Sequence, residues 1–318
     1  MKICVSGALG FIGSAFIRRI LETESSKLSI VGFARNTDQR NCGRLESVLD
    51  DNRLRIVFGD LMDDFSGLTE GCDAVVHFAA RTYVDHSIVD PTPFVESNVL
   101  GTLRLLEDAR RNKVKRFIQV STDEVYGSIL EGAYAENSPL NPTNPYAASK
   151  AGADCLAISY AHTFGLHTVV TRTENNVGPF QHPQKVFPTF VRKALAGELL
   201  PVYGDGGHVR QWLWVVDHVD ALILLLTADV APGSVYHIAG NRELKNLDLA
   251  KWILRVLHKP EDQIEFIDDH NIRPGHDRRY ALCCDKLKAL GWAPKLELEQ
   301  MIEKAAFWYR DNPTWLNA

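Results

Sequence analysis

Short apolar runs rich in β-branched residues alternate with longer amphipathic stretches through the first half of this chain. Lys2–Ser6, Leu28–Phe33, Leu54–Phe58, Ala74–Phe78 and Phe117–Ser121 lack the polar alternation of a half-exposed sheet, so they read as strands covered on both faces. Between them, Phe11–Leu21 and Thr92–Asn112 carry apolar residues at helical spacing. Another long helix is predicted from Pro145 to Phe164, because proline suits a first turn and Leu156, Tyr160 and Ala161 follow in register. This order predicts an α/β fold with a Rossmann-type doubly wound parallel sheet. After Thr168 the pattern breaks into the loop-rich Asn175-Asn176-Val177-Gly178-Pro179 and His182-Pro183-Gln184-Lys185. A smaller, interleaved C-terminal substrate lobe is predicted there. Residues 1–170, with a returning segment near 204–228 that holds the helix-like run Ala221–Thr227, form the larger domain; 171–203 and 229–318 form the lobe.

With 318 residues, 45% hydrophobic and 24% charged, the chain can bury one large core plus a smaller one. A net charge of −5 without blocks of like charge excludes a general binder of nucleic acid or membrane surfaces, leaving small molecules as the expected partners. The longest apolar candidate, Ala221–Leu226, falls far short of the ~18 residues that a membrane span needs. A strand begins at Lys2 with no signal-peptide pattern ahead of it, so a cytoplasmic protein is expected. Cys4, Cys42, Cys72, Cys155, Cys283 and Cys284 contain no C-x-x-C, and the adjacent pair suits neither a disulfide nor a shared metal. Reduced thiols and no metal site are expected.

Gly7-Ala8-Leu9-Gly10-Phe11-Ile12-Gly13 follows the first strand and opens the first helix. Glycines there let the backbone turn tightly and approach a pyrophosphate, whose charge sits on the amides of a helix N-terminus. The second strand ends in Ala34-Arg35-Asn36 without the acidic residue that usually receives the ribose of NAD. Arg35 is either a solvated arginine or a bidentate partner for the 2′-phosphate of NADP, and the residues alone lean to NADP. Asp60-Leu61, past the third strand, suits an adenine contact or a strand-end cap.

Ser121-Thr122-Asp123-Glu124-Val125-Tyr126-Gly127 and Tyr146-Ala147-Ala148-Ser149-Lys150 carry the chemistry. Tyr146 and Lys150 are four apart on one helix face. A phenol must ionise to take a proton from a sugar hydroxyl, and a cation about 5 Å away at an effective dielectric near 20 contributes roughly 3 kcal/mol, or about two pKa units, toward that. Once C4 is a ketone, the C5 hydrogen is acidic and the C6 hydroxyl can leave. That elimination needs a base and an acid side by side: Glu124 for the C5 proton, and a protonated Asp123 for the C6 oxygen, with Thr122 on the C4 oxygen.

These motifs, with Asn175-Asn176-Val177-Gly178-Pro179, Arg210 before Gln211-Trp212-Leu213-Trp214-Val215, and Arg273-Pro274-Gly275-His276-Asp277-Arg278-Arg279-Tyr280, resemble the extended short-chain dehydrogenase/reductases. The nearest resemblance is to nucleotide-sugar 4,6-dehydratases of the dTDP-glucose type, from Met1 to about Tyr309. It implies a catalytic set of Thr122, Asp123, Glu124, Tyr146 and Lys150. Gly7, Gly10, Phe11, Ile12, Gly13, Arg35, Asn36, Asp60, Leu61, Ala79, Ala80 and Asn98 would hold the cofactor together with Tyr146 and Lys150. Thr82, Asn175, Lys185, Val186, Pro201, Tyr203, Arg210, Asn246, Arg273 and His276 would hold a nucleoside-diphosphate hexose. Of these, Lys185, Arg210 and Arg273 would neutralise the pyrophosphate, and Pro201 and Tyr203 would frame the base. The resemblance further implies a tightly bound, recycled NAD and a homodimer paired through Thr92–Asn112 and Tyr146–Phe164 as a four-helix bundle.

The chain departs from that pattern in places. The dTDP-glucose enzymes have an aspartate at the end of the second strand, whereas Gly32–Glu46, including Arg35 and Gly43-Arg44-Leu45-Glu46, is more like NADP-using GDP-mannose dehydratases. NAD and NADP therefore both stand, as do dTDP, UDP, GDP and CDP. Arg81-Thr82-Tyr83 and Arg172-Thr173-Glu174 replace smaller or differently charged residues, and Val177 stands where an aromatic is usual. A UDP-glucuronate decarboxylase is the main alternative, with Arg81, Arg172 or Arg273 for the carboxylate. A 4-epimerase has no need of Asp123-Glu124, and a non-catalytic dinucleotide sensor has no need of Tyr146 and Lys150.

Overall fold

Val75, Val76, Phe117, Ile118, Val169 and Val170 are all fully buried, as central strands covered on both faces must be. The computed structural model describes residues 1–23, 27–35, 39–63, 65–268, 274 and 276–316. Its strands are β1 (Lys2–Ser6), β2 (Ser29–Ala34), β3 (Leu54–Phe58), β4 (Ala74–His77), β5 (Arg116–Thr122) and β6 (Thr168–Thr173). There follow β7 (Asn175–Val177), β8 (Leu200–Tyr203), β9 (Val209–Trp214), β10 (Ser234–Ile238), β11 (Glu243–Lys245) and β12 (Ile264–Ile267). Seven of them form one parallel sheet in the order β10-β6-β5-β4-β1-β2-β3. Strand order reverses between β1 and β4, which opens a crevice at the strands' carboxyl ends.

Helices cover both faces of that sheet. Phe16, Ile17 and Ile20 of the Phe11–Thr23 helix share one core with Leu222 and Leu225 of the Val215–Thr227 helix. Leu105, Leu106, Ala109, Ala157 and Tyr160 fill the opposite face. Each fully buried Leu, Ile or Phe side chain among them contributes about 1.5–3 kcal/mol. The Pro145–Phe164 helix has the predicted bounds: Asn144 Oδ1 accepts from Ala147 N at 2.9 Å, Pro145 occupies the first turn, and Gly165 ends it at φ 68°.

Three expectations are corrected here. The continuous helix predicted over Thr92–Asn112 is an α-turn (Thr92–Phe94), a wider π-turn (Val95–Leu100) and an α-helix (Gly101–Arg111). The π-turn carries Asn98, whose side chain donates to Arg81 O (3.0 Å) and Ser149 Oγ (2.9 Å) and accepts from Arg81 N (2.8 Å). The loop-like Asn175–Val177 is a strand, β7, because β9 supplies a parallel partner from Trp212 to Trp214. The returning segment also divides differently. β9 lies in a second sheet, β11-β9-β7, while Val215–Thr227 packs on the large sheet and β10, from the stretch 229–318, becomes its edge strand beside β6.

The smaller lobe has its own core of Phe187, Phe190, Trp212, Leu249, Ile253, Met301, Ile302 and Tyr309. A two-stranded ladder, β12-β8, completes it. Among the described residues no helix is long and apolar enough to cross a membrane, and no cluster of His, Cys, Asp or Glu is placed to hold a metal.

Candidate active site

The glycine loop and the ends of β1, β4, β5 and β6 line one cleft of about 490 Å³. Gly7 turns at φ +72°, and a Cβ there would lie 2.8 Å from Ala79 N; one on Gly13 would lie 2.3 Å from Gly7 O. Side chains are excluded, so backbone amides at the start of the Phe11–Thr23 helix stay open to a phosphate. Gly7, Gly10, Phe11, Ile12, Gly13, Arg35, Asp60, Leu61, Ala79 and Ala80 all line the cleft. Asn36 lies outside the described residues. Asn98 does not line the cleft; it holds the Arg81 backbone against the Pro145–Phe164 helix, and Ser97 faces the cavity instead. Arg35 sits 3.7 Å from Asp60 across their charged ends, half exposed. The cleft thus has the shape and backbone donors to hold a nicotinamide dinucleotide.

Thr122, Asp123, Glu124, Tyr146 and Lys150 meet at the other end of that cleft. Thr122 ends β5, accepts from Glu124 N at 3.3 Å and donates to Asp123 Oδ1 at 3.0 Å. Burial and the neighbouring Glu124 carboxylate push Asp123 up to about 7, against the Thr122 hydrogen bond and the Arg210 cation. Lys150 Nζ donates to Val120 O at 2.8 Å; burial lowers it to about 8, opposed by Asp154.

Tyr146 departs from the sequence-based expectation. Burial, then the Glu124 carboxylate, push its phenol well above the ordinary range; a Thr122 hydrogen bond opposes them, while Asp123 and Asp154 add to the rise. Desolvation and three carboxylates outweigh the single cation that the Tyr-x-x-x-Lys spacing suggests, so ionisation needs positive charge brought by a ligand.

The remaining predicted residues fall into two groups. Thr82, Asn175 and Lys185 line the cleft, with Lys185 Nζ donating to Thr82 O at 2.9 Å and lying 4.6 Å over the Tyr83 ring; Val186 begins the helix after Lys185. Pro201 and Tyr203 lie on β8, outside the cleft lining. Tyr203 packs on His276 at 6.0 Å, and His276 stacks on His208 at 3.9 Å. Arg210 Nη2 contacts His276 Nε2 at 3.3 Å and donates to Asp277 O at 2.9 Å, with its guanidinium 4.4 Å over Tyr280. Asn246 N donates to His208 O at 2.9 Å. Arg273 lies outside the described residues. Arg210 acts electrostatically on Asp123, and Glu124 and Asp123 both act on Tyr280, so this cluster adjoins the reacting end.

Sequence reasoning gave no role to several cleft residues. Arg44 is buried, donates from Nη1 to Leu9 O at 2.9 Å and from Nε to Phe180 O at 3.1 Å, and lines the cleft beside the glycine loop. Tyr83, His182 and Glu174 line it too. Arg172, considered as a carboxylate receptor, is instead buried against Asp154 at 2.9 Å and donates to the Tyr126 hydroxyl. Each stands near a motif in sequence, but nothing in its spacing says which side of the backbone it faces.

A family model described as GDP-mannose 4,6 dehydratase matches residues 4–305. The low-salt glycan biosynthesis protein Agl12 of Haloferax volcanii is 45% identical over 312 residues, 97% of this chain and 98% of the relative. The dTDP-glucose 4,6-dehydratase of Streptomyces niveus is 44% identical over 321 residues, 99% of this chain and 94% of the relative. Among solved structures, a double mutant of DesIV, the dTDP-glucose 4,6-dehydratase of Streptomyces venezuelae, with NAD and DAU bound, superposes with a TM-score of 0.94 at 41% identity, covering 100% of this chain and 99% of that one. This chain belongs to the nucleotide-sugar 4,6-dehydratases of the extended short-chain dehydrogenase/reductases.

Proposed function

We propose that this chain converts a nucleoside-diphosphate hexose, dTDP-glucose foremost, to its 4-keto-6-deoxy derivative. The observation that carries this reading is a buried Asp123, raised to about 7 and therefore able to donate a proton at neutral pH, adjoining Glu124 in the cleft that Tyr146 and Lys150 also line. The whole-length similarity to dTDP-glucose dehydratases supports the substrate.

A nicotinamide dinucleotide held by the glycine loop would supply hydride acceptance from C4 and its return to C6, and in its oxidised form a positive charge in the cleft that Tyr146 lines. Tyr146 takes the O4 proton, with Thr122 hydrogen-bonding that oxygen. Lys150, fixed by Val120 O, favours the phenolate. Glu124 removes the C5 proton, and Asp123 gives its proton to the C6 oxygen as water leaves. Lys185 and Arg210, with Arg273, neutralise the diphosphate while Tyr203 and Pro201 frame the base. Arg172 is engaged by Asp154 and Tyr126, which counts against a C6 carboxylate as its partner.

The cofactor proposed is NAD, as bound in the solved relative; because the hydride taken from C4 returns at C6, NAD is regenerated in each turnover. Arg35 remains the residue through which a 2′-phosphate would be accepted, and comparing NAD with NADP binding in wild type and Arg35→Ala decides between them. A homodimer is proposed through Thr92–Arg111 and Pro145–Phe164, where Val95 (52%), Leu100 (37%) and Phe164 (50%) are exposed apolar residues. Sedimentation of the protein at several concentrations tests it.

The functional test is mass spectrometry after incubation with dTDP-, UDP-, GDP- and CDP-hexoses and UDP-glucuronate without added reductant. Loss of one water from a hexose is the expected result and names the base. Loss of carbon dioxide from the uronate, or an isobaric product, would replace this reading.

A further inference from the structure

Glu174 lies between β6 and β7, at the same carboxyl edge of the large sheet where Asp123 follows β5. Both side chains are 4% exposed and both line the cleft. Glu174 Oε1 accepts from Leu282 N at 3.1 Å, while Oε2 is buried with no hydrogen-bond partner. Asp123 has the same asymmetry: Oδ1 accepts from Thr122 and Oδ2 is buried with none. Neighbouring cations are engaged elsewhere, Arg279 with Glu243 at 2.5 Å, Arg172 with Asp154 at 2.9 Å and Arg210 with Asp277 O at 2.9 Å. Thr122 and Thr173 are register partners on β5 and β6, so Asp123 and Glu174 follow side by side at the strand ends; two buried carboxylates without a hydrogen-bonded cation are strongly disfavoured, and a proton held between them relieves both the desolvation and the repulsion. After burial itself, Asp123 is the neighbour that most opposes ionisation of Glu174.

We propose that Glu174 is a positioning residue for the elimination: it shares a proton with Asp123 and keeps Asp123 in the acid form that serves the departing C6 oxygen. This deepens the dehydratase reading above and rests on it. In that step the C5–H bond breaks with its proton going to Glu124. The C6–O bond breaks with its electron pair going to oxygen, which takes the Asp123 proton and leaves as water. The pair is then without its shared proton, with only the Leu282 N–H on Glu174 and the Thr122 hydroxyl on Asp123 as donors, until it is refilled. Glu124 returns its proton to C5 as C6 is reduced, and the proton that Tyr146 took from O4 matches the one Asp123 gave up, so the pair refills with no net uptake.

The groups that face the pair are Glu124 and Arg210 at Asp123, Glu243 and Arg279 at Glu174, and Tyr146, Tyr280 and Cys284 around them. Glu174→Gln keeps the shape, removes the shared proton and lets an amide N–H donate to Asp123, which should then ionise at lower pH. Glu174→Ala serves as a second variant, because Leu282 N retains Gln211 Oε1 at 3.0 Å as an acceptor.

Infrared titration of the protonated-carboxyl band in the holoenzyme should show it persisting to higher pH in wild type than in either variant, by about one pH unit or more for groups coupled this strongly. The alkaline limb of the dehydratase pH profile should move down by the same amount with KM unchanged. An alkaline limb that stays in place in both variants, with the water-loss product still formed, overturns the role of Glu174 and leaves the dehydratase reading standing. A wild-type enzyme that forms no water-loss product overturns the dehydratase reading and the role in elimination with it, whatever the infrared band does.

Discussion

At the reacting end of the site Thr122, Asp123, Tyr146 and Lys150 are at most 7% exposed, while at the end proposed for the nucleotide Lys185, Tyr203 and His276 are only half buried, with Lys185 donating to Thr82 O and Tyr203 packed on His276. The first group is set by local spacing, a strand end and one capped helix. The second is gathered from β8, β9, the loop after β7 and the segment before Tyr280. Burial at the reacting end moves proton affinities toward neutrality, up for Asp123 and down for Lys150. The cations proposed for the nucleotide, Lys185 and Arg210, rest on the neutral backbone carbonyls of Thr82 and Asp277. Damage at the first should therefore appear in kcat and damage at the second in KM.

The largest expected effect is Glu124→Gln, which removes the base for C5. Product formation should fall by about 10²–10⁴-fold, while C4 oxidation, followed by absorbance of reduced nicotinamide, persists; an unchanged product yield would sink the assignment of Glu124. Next, Arg210→Ala deletes the charge-assisted bonds proposed to the diphosphate, each about 1.5–3 kcal/mol, so KM should rise about 10- to 100-fold with a smaller change in kcat. A fall confined to kcat would erase the distinction between the two ends.

The pH profile sharpens the same contrast. An Asp123 carboxyl raised to about 7 is protonated below that pH and lost as an acid above it. The kcat/KM for the hexose should decline above neutral pH, approaching about tenfold per unit, and a profile flat to pH 9 would exclude Asp123 as the donor. The smallest effect expected is on Asn144→Ala, which uncaps the helix carrying Tyr146 and Lys150. It should cost about 1 kcal/mol in urea unfolding and lower kcat more than it raises KM; the reverse would mean that the helix start does not fix the reacting end.

The glycine loop, the Thr122-Asp123-Glu124 triplet and the Tyr146/Lys150 pair were legible because each is a short contiguous pattern whose geometry follows from one strand or helix. Pro145–Phe164 was legible because proline is a local start signal and Leu156, Tyr160 and Ala161 follow it in register. β7 was not: three residues show no period, and only hydrogen bonds from β9 make them a strand. Likewise Ser234–Ile238 carries a serine and a histidine that mask an edge strand, and its place beside β6 comes from a parallel partner far away in the chain.

By itself, then, the order of residues determined the parallel sheet, the glycine cradle, the family and the groups proposed to move protons, since all of these depend on side-chain type and near-neighbour spacing. Tertiary structure alone decided how those groups are charged. The rise at Tyr146 and Asp123, the capture of Arg172 by Asp154, and the placing of Glu174 on the cleft wall follow from burial and from neighbours on other elements. Proton affinity depends on solvent exclusion and on through-space charge, neither of which is written in the spacing of residues along the chain.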